Sequence, residues 1–103
     1  MQTHSITLGM NIPNEGKLTN QMWVDFLNSV SDLIPYCTIQ DAVGIFKGEV
    51  EQSKIVSITV DERTTGAMHM ISNLEKVGDM YKKQFRQECI MYSMTKVDSL
   101  TFA

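Results

Sequence analysis

The chain has 103 residues and a formal net charge of −3, with 43% apolar and 20% charged residues. This length fits one domain over residues 1–103, and the composition is that of a globular protein, which excludes disordered and fibrous classes. The acidic balance argues against a nucleic-acid partner, because phosphate binding needs a broad basic surface. We expect no membrane segment, since no apolar run approaches ~20 residues, and a cytoplasmic protein, since the N-terminus lacks an export signal.

The first third of the chain predicts a strand followed by a helix. Strict apolar–polar alternation over residues 4–12 predicts a strand with one buried face, and residues 13–16 form a turn. A helix follows, capped by Thr19 or Asn20 and ended by Pro35. Its apolar positions recur at helical spacing: Met22, Trp23, Phe26, Leu27, Val30, Leu33 and Ile34.

Two strands joined by a hairpin are predicted next. Residues 37–46 form the first, and Asp41 falls on its apolar parity, which predicts a bulge near Gln40 and Asp41. Residues 47–52 are a polar connection, and residues 54–61 alternate cleanly as the second strand.

A second helix and a last strand complete the chain. The helix buries a stripe and exposes a polar face with Asn73, Lys76, Asp79, Lys82 and Lys83. The stripe contains Ala67, Met70, Ile71, Leu74, Val77, Gly78, Tyr81 and Phe85. Residues 88–95 read as a strand, and residues 96–103 extend it or form an arm. Core stripes also account for Met10, Met22, Met70 and Met94 as gap-filling side chains.

The predicted order is βαββαβ. Because crossover connections are right-handed, both helices pack on one face of a four-stranded antiparallel sheet, which is the ferredoxin-like α+β fold. The predicted core includes Trp23, Phe26, Leu27, Ile58, Leu74 and Tyr81.

The chain resembles a family of small, uncharacterised bacterial proteins classed as a domain of unknown function with an α+β fold. The matching pieces are Leu8-Gly9-Met10, Trp23-Val24-Asp25-Phe26, Pro35 with Thr38 and Ile39, Asp41 with Gly44, Glu51-Gln52-Ser53-Lys54-Ile55, and Tyr81 with Phe85, Gln87 and Glu88. Phe46 stands where the family often has Trp. The resemblance implies the fold and carries over no catalytic residue.

Residues for catalysis are few. His4 and His69 are the only histidines, and no carboxylate pairs with either in an acid–base motif. Cys37 and Cys89 match no metal or redox spacing, so we expect buried or half-buried free thiols, no metal and no organic cofactor.

One candidate binding site lies where the second helix begins, at Arg63, Thr64 and Thr65. A helix N-terminus with a guanidinium and two hydroxyls favours a small anionic ligand. The alternative is ordinary N-capping by Thr64 or Thr65, and Asp61 and Glu62 oppose an anion.

The second candidate is the uncovered face of the sheet, where Thr7, Asn11 and Thr59 are predicted to contact the ligand. The face is small, polar and poor in charge: Ser5, Thr7, Gly9, Asn11, Thr38, Gln40, Ser57, Thr59, Cys89, Met91 and Ser93. Such a surface favours self-association into a dimer or higher homo-oligomer, or a polar small-molecule pocket at a subunit junction.

Three functions are consistent with these features. The favoured one is a non-catalytic oligomeric binding protein, similar in format to phage-encoded counter-defence proteins that sequester a small nucleotide-like signalling molecule. The second is a small ferredoxin-like dimeric enzyme with a cavity between sheet and helices. The third is a protein–protein adaptor or inhibitor acting through the acidic hairpin at Glu49 and Glu51.

Overall fold

The computed structural model describes residues 1–98, and part of the predicted C-terminal extension, residues 99–103, lies outside the described residues. The elements are β1 (Gln2–Gly9), β2 (Asn11–Ile12), β3 (Gly16–Lys17), α1 (Asn20–Val30), β4 (Thr38–Phe46), β5 (Glu49–Val60), α2 (Thr65–Gln84) and β6 (Met91–Lys96).

The fold is α+β and ferredoxin-like, as predicted. The main sheet is antiparallel with strand order β4-β5-β1-β6, and β2 and β3 form a separate two-stranded ribbon. Each helix connects two strands that have another strand between them. Buried side chains of both helices share one core with β1 and β5, so both helices cover the same face.

Local sequence explains the ends of these elements. Thr19 caps α1 by accepting a hydrogen bond from the Met22 backbone N–H at 3.2 Å, as predicted. Arg86 adopts a left-handed φ of 53° just beyond α2, and this reversal sends the chain back toward β6. β6 therefore begins at Met91, three residues later than the sequence predicts.

Aromatic side chains form the centre of the core. The Tyr81 ring meets Phe26 edge-on at 5.2 Å between centroids and lies 4.8 Å from Phe85, while Trp23 stacks on Phe26 at 6.2 Å. The Tyr81 hydroxyl donates to the Gly9 carbonyl at 2.6 Å, so this buried polar atom is satisfied. Five of the six predicted core residues are buried, and Leu27 is partly buried against them.

The β4–β5 hairpin corrects two predictions. Pairing runs without interruption from Thr38 opposite Ser57 to Phe46 opposite Glu49, so the predicted bulge is wrong. Asp41 stays in register because it faces Lys54 and forms an ion pair with it. Lys47 and Gly48 have φ values of 51° and 79°, which is a two-residue turn. β4 therefore ends at Phe46 as predicted, whereas β5 begins at Glu49, inside the predicted connection.

Three burial predictions are also wrong. Asn73 is buried on α2, where its side-chain amide donates to the Leu33 carbonyl at 2.9 Å. Met94 is exposed because β6 is an edge strand that the helices do not cover. Cys37 and Cys89 are exposed free thiols, since both lie in connections outside the sheet.

Candidate functional site

An open pocket of 280 Å³ lies between α2 and the edge strand β6. It exists because α2 crosses β1 and leaves β6 uncovered, and because Gly78 has no side chain to fill the gap. Its lining residues are Ile6, Glu75, Gly78, Asp79, Ile90 and Tyr92. The pocket therefore has an apolar floor and a polar rim.

Two carboxylates make the rim acidic. Glu75 and Asp79 are one helical turn apart on α2 and line the same opening. Neither forms an ion pair with another residue of the described range 1–98. The pair is thus available to accept hydrogen bonds or to attract a cation.

Tyr92 forms the opposite wall and is held by a buried histidine. His4 is only 6% exposed, and its Nδ1 is hydrogen-bonded to the Tyr92 hydroxyl. The Nε2 of His4 lies 2.9 Å from Gln2 Oε1, which can only accept, so Nε2 carries the proton. Nδ1 is then the acceptor, and the Tyr92 hydroxyl donates to it.

The same burial shifts the titration of both groups. Burial lowers the pKa of His4 below its ordinary 6.5, and the nearby Glu75 carboxylate opposes that shift. Burial raises the pKa of Tyr92, and Glu75 adds to this shift. At neutral pH the pair is therefore a neutral imidazole and a neutral phenol.

The predicted residues at the start of α2 are neighbours, but Arg63 is already engaged. Its Nε and Nη2 donate to the two carboxylate oxygens of Asp61 at 2.9 and 2.8 Å. The guanidinium and its hydrogen bonds hold the pKa of Asp61 well below its usual range. Thr64 is the N-cap but its hydroxyl donates to the Asp61 carbonyl, and Thr65 is the exposed first residue of the helix.

The predicted sheet-face residues do not converge on one point. Thr59 pairs with Thr3, and their hydroxyls lie 2.9 Å apart, whereas Thr7 lies four residues further along β1, about 13 Å away at the rise of a strand. Asn11 belongs to the β2–β3 ribbon, where its carbonyl accepts from Gln87 Nε2 at 2.9 Å. A single small ligand therefore does not span all three.

A second pocket of 320 Å³ lies beside the hairpin, lined in part by Met10, Asp41, Gln52 and Lys54. Its two charged groups neutralise each other, because Lys54 pairs with Asp41. The Lys54 ammonium also lies 5.9 Å from the centre of the Trp23 ring. This pocket offers fewer free groups than the one beside β6.

Sequence reasoning did not identify Glu75, Asp79, Tyr92 or His4 as site residues. The available signal was the spacing of Glu75 and Asp79 around Gly78 on α2. The contact of Tyr92 with His4 needs the register of β6 on β1, which pairs Ile6 with Tyr92 and His4 with Met94.

Within residues 1–98, no group of three or more His, Cys, Asp or Glu side chains has the arrangement to hold a metal ion. No helix in that range has the length and apolar character to cross a bilayer.

Comparison with known proteins gives matches among solved structures only. No protein-family model matches the chain, and no curated protein matches it in sequence. A phage SAM lyase in complex with S-methyl-5′-thioadenosine has 13% identity and a TM-score of 0.66, over 92% of this chain and 80% of that one. A phage SAM lyase in the apo state has 16% identity and a TM-score of 0.68, over 91% and 78%. At these identities the likeness shows the fold alone.

Proposed function

We propose that the chain is an oligomeric binding protein for a small adenosine-containing molecule, held in the pocket between α2 and β6. The observation that carries the proposal is that Glu75 and Asp79, which form no ion pair within residues 1–98, line one opening together with Tyr92 and an apolar floor. Acting in a phage, such a protein would counter a host defence by sequestering its small nucleotide-like signal.

The chemistry of a nucleoside matches these groups. Carboxylates accept hydrogen bonds from ribose hydroxyls, as they do in dinucleotide-binding folds. An aromatic ring offers a face on which a purine stacks, at ~1–3 kcal/mol per base. Ile6 and Ile90 supply the apolar surface against which the remaining part of the ligand packs.

The structural likeness supplies candidate ligands. One similar chain is a phage SAM lyase that holds S-methyl-5′-thioadenosine, an adenine nucleoside without phosphate. A shared fold does not transfer a function, so the support for the ligand class comes from the pocket, and the comparison only names compounds to try.

Self-association is part of the proposal, because the uncovered sheet face suits a second copy. Its central rows carry no charged side chain: Thr38, Ser57, Ser5 and Ser93 lie in one row, and Gln40, Ile55, Thr7 and Met91 in the next. Every residue of the edge strand β6 is exposed: Met91 on the uncovered face, and Tyr92 and Met94 on the side of the helices. A partner covering this edge would also close the open pocket.

The start of α2 remains the proposed location for an anionic ligand. Arg63 would have to release Asp61 to bind a phosphate, which weakens that site relative to the sequence-based expectation. If a ligand does bind there, Arg63→Ala should lower its affinity roughly ten- to a hundredfold through the loss of charge-assisted hydrogen bonds.

An enzyme is the second candidate function, and the hydrogen bond from Tyr92 to His4 favours it. A phenol beside a neutral imidazole can transfer a proton. Incubation of the protein with S-adenosylmethionine, with the products separated by chromatography, tests this alternative. Release of a product would establish an enzyme. Binding of the compound without release of a product would support the non-catalytic proposal.

Calorimetric titration with S-methyl-5′-thioadenosine at pH 7.5 tests the proposal, with two glycines of α2 as matched variants. A Cβ on Gly78 would lie 3.7 Å from both Ile6 and Ile90, so Gly78→Ala narrows the pocket without a clash. A Cβ on Gly66 would have no neighbouring atom within 4 Å in the described part of the chain. Gly78→Ala should weaken binding roughly tenfold, because one methyl group more or less in an apolar pocket changes the binding free energy of a ligand by ~1–3 kcal/mol, while Gly66→Ala should bind as the wild type does.

Two results would contradict the proposal. An effect of Gly66→Ala alone would move the site to the start of α2. The absence of heat at millimolar ligand would remove the nucleoside-binding function and make the adaptor or inhibitor the leading hypothesis.

A further inference from the structure

We propose that the His4–Tyr92 hydrogen bond makes the pocket selective for positively charged ligands over neutral ones of the same shape. The inference rests on the proposed function, since it names the charge of the adenosine-containing molecule that the same pocket takes. The cluster that determines it consists of His4, Gln2, Tyr92, Glu75 and Asp79.

The direction of the hydrogen bonds is the first step. Gln2 Oε1 accepts from His4 Nε2 at 2.9 Å, which leaves Nδ1 without a proton. The Tyr92 hydroxyl must then donate its single proton to Nδ1, and the oxygen can only accept from anything else. His4 is buried, so water does not compete for its ring nitrogens.

The consequence is a rim of acceptors. Glu75 and Asp79 are carboxylates that accept only, and Tyr92 is made an acceptor by His4. Three oxygen-bearing side chains around one opening thus have no proton to offer. A sulfonium centre is attracted to such a rim more strongly than a neutral thioether is. The Tyr92 ring adds a cation–π surface at the same place.

Two natural adenosyl compounds separate charge from shape. S-adenosylmethionine carries a sulfonium, and S-adenosylhomocysteine is the corresponding neutral thioether with one methyl group fewer. We expect the wild-type protein to bind S-adenosylmethionine at least tenfold more tightly at pH 7.5, because the sulfonium gains an interaction that the thioether lacks. The ratio of the two dissociation constants, measured by calorimetry, is the readout.

Variants identify the groups responsible for that ratio. Tyr92→Phe keeps the ring and removes the acceptor oxygen, and Glu75→Gln keeps the shape and removes the charge. Both should reduce the ratio several-fold toward one, while Tyr36→Phe, at an exposed tyrosine outside the pocket, should leave it unchanged.

The outcomes distinguish this inference from the proposed function. If both compounds bind equally well to the wild type, or if the ratio is unchanged in Tyr92→Phe, the selectivity mechanism is wrong and the nucleoside site stands. If neither compound nor S-methyl-5′-thioadenosine binds, both the proposed function and this inference are wrong. Thermal melting of each variant shows that a lost preference does not come from unfolding.

Discussion

The two faces of the main sheet differ in burial and in the chemical character of their side chains. The covered face carries Ile6, Leu8, Val56 and Ile58, which are buried against an aromatic cluster from both helices. The central rows of the uncovered face carry hydroxyls and three larger uncharged side chains, Gln40, Ile55 and Met91. The covered face accounts for the fold, whereas the uncovered face is left available for a partner. The pocket lies on the helix side of the sheet, at the β6 edge.

The largest effect on unfolding should come from the covered face. Phe26→Ala removes a fully buried ring from the aromatic cluster and should cost ~3–5 kcal/mol, a large part of the stability of a domain this size. Val24→Ala, on the exposed side of α1, should cost well under ~1 kcal/mol. Urea unfolding of the two variants measures the difference, and similar midpoints would contradict the described packing of α1.

A smaller loss is expected at the buried amide of α2. Asn73→Ala leaves the Leu33 carbonyl without its donor and should cost ~1–3 kcal/mol. Asn28→Ala, the same change at an exposed helical position, is the control and should have little effect. If both variants unfold at the same urea concentration, the hydrogen bond between Asn73 of α2 and Leu33 in the segment after α1 does not contribute as described.

The pH dependence of stability should report His4. Because the folded state lowers the pKa of His4 below 6.5, the unfolded chain binds the proton more readily as the pH falls. The contribution of neutral His4 to the free energy of unfolding is fully present above pH 6.5. It is lost as the pH falls from that value toward the pKa of His4 in the folded state. Melting temperature should therefore fall between pH 7.5 and 5.5, less so in His4→Gln, and as in the wild type in His69→Gln. An equal slope in all three proteins would contradict a buried neutral His4.

Substitutions on the uncovered face should have the smallest effect on the stability of the monomer and the largest effect on its self-association. Met91→Glu places a charge in the proposed contact between copies and should dissociate the oligomer while the monomer stays folded. Met68→Glu, at an exposed methionine on α2, should leave the assembly intact. Sedimentation at micromolar concentration measures both, and a wild type that sediments only as an 11.7 kDa species would refute self-association.

Residue periodicity was enough to predict the fold, because the alternation in β1 and β5 and the stripes of α1 and α2 each indicate one buried side. It was not enough for the hairpin, where Asp41 stays in register by pairing with Lys54 on the opposite strand. Periodicity also does not predict the pocket, because the pocket depends on contacts between residues that are far apart in the sequence. Tyr92 meets His4 from 88 positions away, and only the pairing of β6 with β1 brings the two together.

The most direct test is an amide NMR titration of the ¹⁵N-labelled protein with S-methyl-5′-thioadenosine. The shifted resonances should cluster at Glu75, Gly78 and Asp79 on α2 and at Ile90 and Tyr92 beside it, because these residues line the pocket. Shifts confined to Arg63, Thr64 and Thr65, or no shifts at saturating ligand, would contradict a nucleoside site between α2 and β6.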